Sequence, residues 1–104
     1  MTPKQLKAVL NTVPGVAVYH NKALKATGEY IVWAEVGKSR LSADNITAEA
    51  AHRYAVDFFT PEEYSEKPAE IEKILEENDI VITDYAVDFE DDTGRTHYAY
   101  TVEG

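Results

Sequence analysis

The chain has no cysteine, and that absence removes several chemistries at once. A disulfide framework, a cysteine nucleophile and any thiolate metal site are excluded. A cysteine-free composition fits a reducing compartment. There is no G-x-G-x-x-G, no P-loop and no H-E-x-x-H, and the five glycines are scattered as turn residues are. No apolar run approaches the roughly 18 residues of a membrane span. The start, MTPKQLKAVLNTV, has no long apolar core and no signal cleavage site, so neither membrane insertion nor secretion is expected.

What is present is a globular composition of 104 residues, 44% hydrophobic and 28% charged, which fits one domain over 1–104. A domain of this size buries one compact core and has little room for a large interior cavity. The net charge of −9 repels phosphate, so specific nucleic-acid binding is not expected. The charge is unevenly spread. Residues 1–40 carry six basic and two acidic side chains, whereas residues 41–104 carry four basic and seventeen acidic ones. If the fold keeps these halves apart, one copy can meet another front to back, and heterologous contacts of that kind close into rings. The same acids also keep a protein soluble.

Patterning supplies the elements. Thr2-Pro3-Lys4-Gln5 reads as a capped helix start, with Leu6, Val9, Leu10 and Val13 as its apolar stripe and Pro14-Gly15 as its end. Residues 16–20 and 29–36 read as strands joined by a polar connection. In the second, Tyr30, Val32, Ala34 and Val36 face one side, and Ile31, Trp33 and Glu35 the other. Gly37-Lys38-Ser39 is expected to turn the chain, residues 40–43 to form a short strand, and Asp44-Asn45 to turn again. Tyr54, Val56 and Phe58 then mark the core face of a strand stopped by Thr60-Pro61. Pro68 starts a second helix that buries Ile71, Ile74 and Leu75 and ends at Asn78 and Asp79. Residues 80–90 and 95–103 form a hairpin across Asp91-Asp92-Thr93-Gly94. Tyr85, Val87 and Phe89 share one face of its first strand, and Asp84, Ala86 and Asp88 the other. This order describes an α+β two-layer sandwich: a mostly antiparallel sheet of four to five strands with two helices packed on one face.

Candidate chemistry is thin. Asp84, Asp88, Glu90, Asp91 and Asp92 are dense enough to suggest magnesium or calcium. Counted from Asp88, however, the sixth position is Thr93 rather than glycine, and the twelfth is Ala99 rather than glutamate. Asp84 and Asp88 lie about 13 Å apart on a strand. A solvated hairpin tip is the plainer reading, and no metal or cofactor is expected. His20, His52 and His97 fall on three strands with no spacing that requires them to meet. The tyrosines of the strands are expected to pack in the core or across strands. Trp33 is open to two readings, because helices covering only the Tyr30 face would leave Ile31 and Trp33 as an exposed apolar pair.

Several features together resemble a known family. They are the strand over 30–36, "ADN" at 43–45, "RYAVDFFT" at 53–60, the proline-initiated acidic helix over 68–77, and a final pair of strands rich in Tyr and Val. From about Tyr30 onward the chain is similar to the tail-terminator, tail-completion or minor capsid proteins of siphophages and prophages of Gram-positive bacteria. The resemblance implies a non-enzymatic structural protein of the virion neck, assembled in the bacterial cytoplasm. Copies, usually six, would form a ring that ends the tail tube and meets the head connector, so the implied partners are the chain itself, a tail tube protein and a head-tail connector protein. The family brings no catalytic residues. Trp33, Lys38, Arg40, Asp44, Asn45, Glu90, Asp91, Asp92 and Arg95 are the candidate partner-interface residues. Two alternatives compete: an acidic, phage-encoded DNA-mimic decoy of a host protein, and a metal-dependent enzyme built on Asp84, Asp88 and Asp92.

Overall fold

The computed structural model describes residues 1–39 and 51–104. The elements follow in the order α1 (Pro3–Leu10), β1 (Ala17–His20), β2 (Tyr30–Ser39), β3 (Ala51–Thr60), α2 (Lys67–Glu77), β4 (Val81–Glu90) and β5 (Arg95–Glu103). The strands make one sheet in the order β1-β2-β3-β5-β4, with β1 parallel to β2 and every other pair antiparallel. This is the α+β architecture expected, with both helices on one face.

The helices begin and end where local chemistry requires. The Thr2 hydroxyl accepts from the Gln5 backbone N–H at 3.2 Å, and Gln5 Oε1 accepts from the Thr2 N–H at 2.8 Å. These are the two arms of a capping box. At the end of α2, Asp79 adopts a left-handed conformation with φ 58°. There the Ile80 N–H donates to the Leu75 carbonyl at 3.0 Å and the Asp79 N–H to the Glu76 carbonyl at 3.1 Å. Ile80 and Leu75 are both in the core, which completes a Schellman motif with its apolar contact.

The core lies between the helices and the sheet. Leu6, Leu10, Ile71 and Leu75 from the helices meet Ile31, Trp33, Tyr54, Val56, Phe58, Tyr100 and Val102 from the sheet. The alternation expected for β3 is therefore observed. One buried polar group is anchored. Thr60, fully buried, donates its hydroxyl to Glu29 Oε2 at 3.0 Å and accepts from the Glu62 N–H at 3.1 Å. Glu29 Oε2 also accepts from the Ser65 hydroxyl, so one carboxylate ties the segment before β2 to the β3–α2 connection.

Three expectations change. Gly37-Lys38-Ser39 does not turn the chain. β2 continues to Ser39, opposite Ala51, and the glycine sits at a register shift between Glu35 and Gly37, with φ 136°. A bulge takes up the extra residue that looked like a turn. Trp33 is not exposed: the helices cover the Ile31–Trp33 face, and Trp33 is 3% exposed and stacked on His20 at 4.1 Å. The tyrosines also divide. Tyr54 and Tyr100 are core residues, whereas Tyr85 is 51% exposed. The short strand expected over 40–43 and the turn at Asp44-Asn45 lie outside the described residues.

Candidate functional site

The fold places β4 at one end of the sheet, paired on one side only among the described residues. Its pairing with β5 matches Ile82 with Val102, Tyr85 with Tyr100 and Val87 with Tyr98. Ile82, Tyr85, Val87 and Phe89 therefore point to the helix side. Ile82 packs against the core, whereas Tyr85, Val87 and Phe89 remain 51%, 49% and 58% exposed. The opposite side of β4 carries Asp84, Ala86, Asp88 and Glu90. One edge strand thus combines an open row of peptide groups, an apolar stripe and an acidic stripe. Such an edge is a template for pairing with another strand.

The hairpin tip gathers four of the candidate interface residues. Glu90 is the cross-strand partner of Arg95, and Asp91 and Asp92 are exposed in the turn between them. Gly94, at φ 69°, closes the turn by donating its N–H to the Glu90 carbonyl at 2.9 Å. The Thr93 hydroxyl donates to Glu90 Oε1 at 3.1 Å. Arg95 lies back on its own sheet: its guanidinium carbon is 5.4 Å from the Tyr30 ring centroid, a cation–π contact. Its Nε is buried without a hydrogen-bond partner among the described residues. Trp33 belongs to the core rather than to this cluster. Lys38 lies on β2 opposite His52. Arg40, Asp44 and Asn45 fall outside the described residues.

The sheet face away from the helices carries a row of rings. Tyr30 stacks on Phe59 at 4.9 Å, Phe59 stacks on His97 at 4.3 Å, and Tyr19 meets Tyr30 edge-on at 6.2 Å. His97 Nε2 lies 2.7 Å from Asp57 Oδ1. These half-buried pairs stitch four strands together, and they occupy the cross-strand contacts from which sheets draw stability. On the helix side, His20 Nε2 is 2.6 Å from Glu35 Oε1. His20 and His97 are thus each engaged locally, on opposite faces of the sheet.

Three tyrosines are shifted above their ordinary range. Tyr100 is pushed well above the ordinary tyrosine range, first by burial and then by the Glu72 carboxylate, to which its hydroxyl donates at 3.3 Å. Burial also raises Tyr54, with help from Glu35, and raises Tyr85, with help from Glu72 and Tyr98. All three shifts keep the phenol protonated, the opposite of what a base or nucleophile needs. Among the described residues, no group of three or more histidines or carboxylates is placed to hold a metal ion. The depression between α1 and the start of β4, lined by Met1, Gln5, Val9, Asp79 and Ile80 among others, brings no histidine and only one acidic side chain.

The apolar stripe of β4 was only half legible in the sequence. The alternation put Tyr85, Val87 and Phe89 on one face, as observed. Nothing in the pattern said that β4 would lie at a sheet end, because β5, the later strand, inserts between β3 and β4. Compared with known proteins, the sequence matches no protein-family model and no curated protein.

Proposed function

We propose that this chain is a structural protein of a phage or prophage virion, a subunit that assembles with copies of itself into a ring at the head-proximal end of the tail. There it would end the tail tube or join it to the head connector. The proposal starts from the resemblance of residues 30–104 to the tail-terminator and tail-completion proteins. The single observation that carries it is the open edge strand β4, with Tyr85, Val87 and Phe89 exposed along one side. An apolar row on a strand paired along one side only favours pairing with another chain. The raised tyrosines, and the local pairing of His20 with Glu35 and of His97 with Asp57, likewise favour a building block over an enzyme.

The decoy reading fits less well. A DNA mimic needs its acids along one exposed surface, whereas here Glu76 and Glu77 ride on α2 and Asp84 and Asp88 lie on the other side of the sheet. The test of the structural reading is deletion of the gene from the phage or prophage that carries it. Heads without attached tails, together with tail tubes of unregulated length, are expected. Normal, infectious virions would contradict the proposal.

A further inference from the structure

We propose that copies of this chain join edge to edge, with β4 of one copy pairing antiparallel with β1 of the next, so that the sheet continues from subunit to subunit. The inference rests on the reading of the chain as a self-assembling subunit and names the surfaces that meet.

Three observations lead to it. The two sheet ends are β1 and β4, and neither has a second strand partner among the described residues. Strand direction comes next. β1 and β2 run together, β3 runs opposite, β5 runs with β1, and β4 runs opposite to β1. A neighbour placed in the same orientation therefore presents its β1 antiparallel to β4, with its helices on the same side of the joined sheet. The third observation is charge. β4 carries Asp84, Asp88 and Glu90 on one side, while β1 is followed by Lys22 and Lys25.

The registers within one copy show which residues lie level across its sheet. Across one copy, Ala17 is level with Tyr30, Phe59, His97 and Asp88; His20 is level with Trp33, Val56, Tyr100 and Tyr85. A neighbour at the same level sets Ala17 beside Asp88, Val18 beside Val87, Tyr19 beside Ala86 and His20 beside Tyr85. The apolar stripe of β4 then meets Val18 and the His20 ring, and Lys22 comes near Asp84. Back-to-back pairing of β4 with β4 is disfavoured by the same logic. Centred on Ala86, it sets Asp84 against Asp88, and like charges directly opposite destabilise a pair. The contact between β4 and β1 uses unlike surfaces, so it repeats and can close into a ring, whereas a β4–β4 contact stops at a dimer.

The absence of cysteine makes the test clean, because any disulfide formed between introduced cysteines on separate chains reports their contact. Directly opposed antiparallel residues have Cα atoms about 4.5–5.5 Å apart, within disulfide reach. Ala17→Cys and Asp88→Cys alter exposed positions, and Tyr19→Cys with Ala86→Cys is a second pair from the same register. The two single variants of a pair are mixed, oxidised mildly and run without reductant, with light scattering on the same samples. The expected result is a heterodimer exceeding either homodimer roughly tenfold or more, as pre-positioned thiols outcompete collision. A homodimer of Ala86→Cys or Asp88→Cys as the main product would overturn the proposal in favour of β4–β4 pairing. Oligomers in scattering without a heterodimer from either pair would overturn the edge contact and leave self-assembly standing. Monomer at every concentration would overturn both.

Discussion

At the scale of the residue, the side chains that matter most to this fold are polar ones in unobtrusive places. Glu29 accepts from the buried Thr60 hydroxyl and from Ser65, and so joins two connections distant in sequence. Removing the acceptor leaves a buried donor unsatisfied, which costs about 1–3 kcal/mol. Glu29→Ala should lower stability by that amount in urea unfolding, and Glu29→Gln, whose amide oxygen still accepts, should recover most of it. An equal loss from both variants would show that charge rather than hydrogen bonding holds the site. Tyr100 makes a prediction in pH. Its folded value is raised above the ordinary 10.0 by burial and by Glu72, so the unfolded chain loses this proton first. Stability from this group is intact below pH 10 and falls as the pH rises beyond it. Tyr100→Phe should flatten that alkaline decline in denaturation series between pH 9 and 11, and an unchanged slope would remove Tyr100 as its source. Neither Glu29 nor Thr60 stood out in the sequence, because a polar residue at a strand end is read as solvent-exposed until the connection that covers it is known.

At the scale of the element, the sequence was most legible where the local signal is complete in itself. The capping box at Thr2 and Gln5, the alternation of Tyr54, Val56 and Phe58, and the hairpin closed by Gly94 each need only a few neighbouring residues. Features that depend on distant packing were not legible. Gly37 looked like a turn because glycine at a bulge and glycine in a turn exploit the same backbone freedom. Trp33 could not be assigned because its strand is apolar on both faces and only the placement of the helices decides between them. At the candidate site the same divide holds. The face shared by Tyr85, Val87 and Phe89 follows from alternation, but their exposure follows from sheet order. The end of α2 offers a prediction of its own. Asp79 holds a left-handed conformation at a helix C-terminus, where neither its Cβ nor its negative charge is favoured. Asp79→Gly should raise stability by about 0.5–1 kcal/mol in the same urea assay. A loss would mean that the carboxylate has a stabilising role.

At the scale of the whole molecule, the account rests on a division of labour between the two ends of the sheet and its middle. The helix-side apolar residues of β2, β3 and β5 are consumed in the core, whereas Tyr85, Val87 and Phe89 of β4 are left outside it. A monomer gains little from Tyr85, Val87 and Phe89, whereas an assembly can bury them. That separates folding from association in a way one substitution can expose. Val87 is half exposed, so Val87→Lys should change the stability of the isolated chain by no more than about 0.5 kcal/mol. A lysine in the middle of an edge strand is, however, an effective block to pairing with another strand. The most direct measurement is the solution mass of the wild-type chain and of Val87→Lys by light scattering over a range of protein concentrations. An oligomer for the wild type and a folded monomer for the variant is the predicted result. A wild type that stays monomeric at every concentration, or a variant that assembles equally well, would contradict the claim that β4 is where copies of this protein meet.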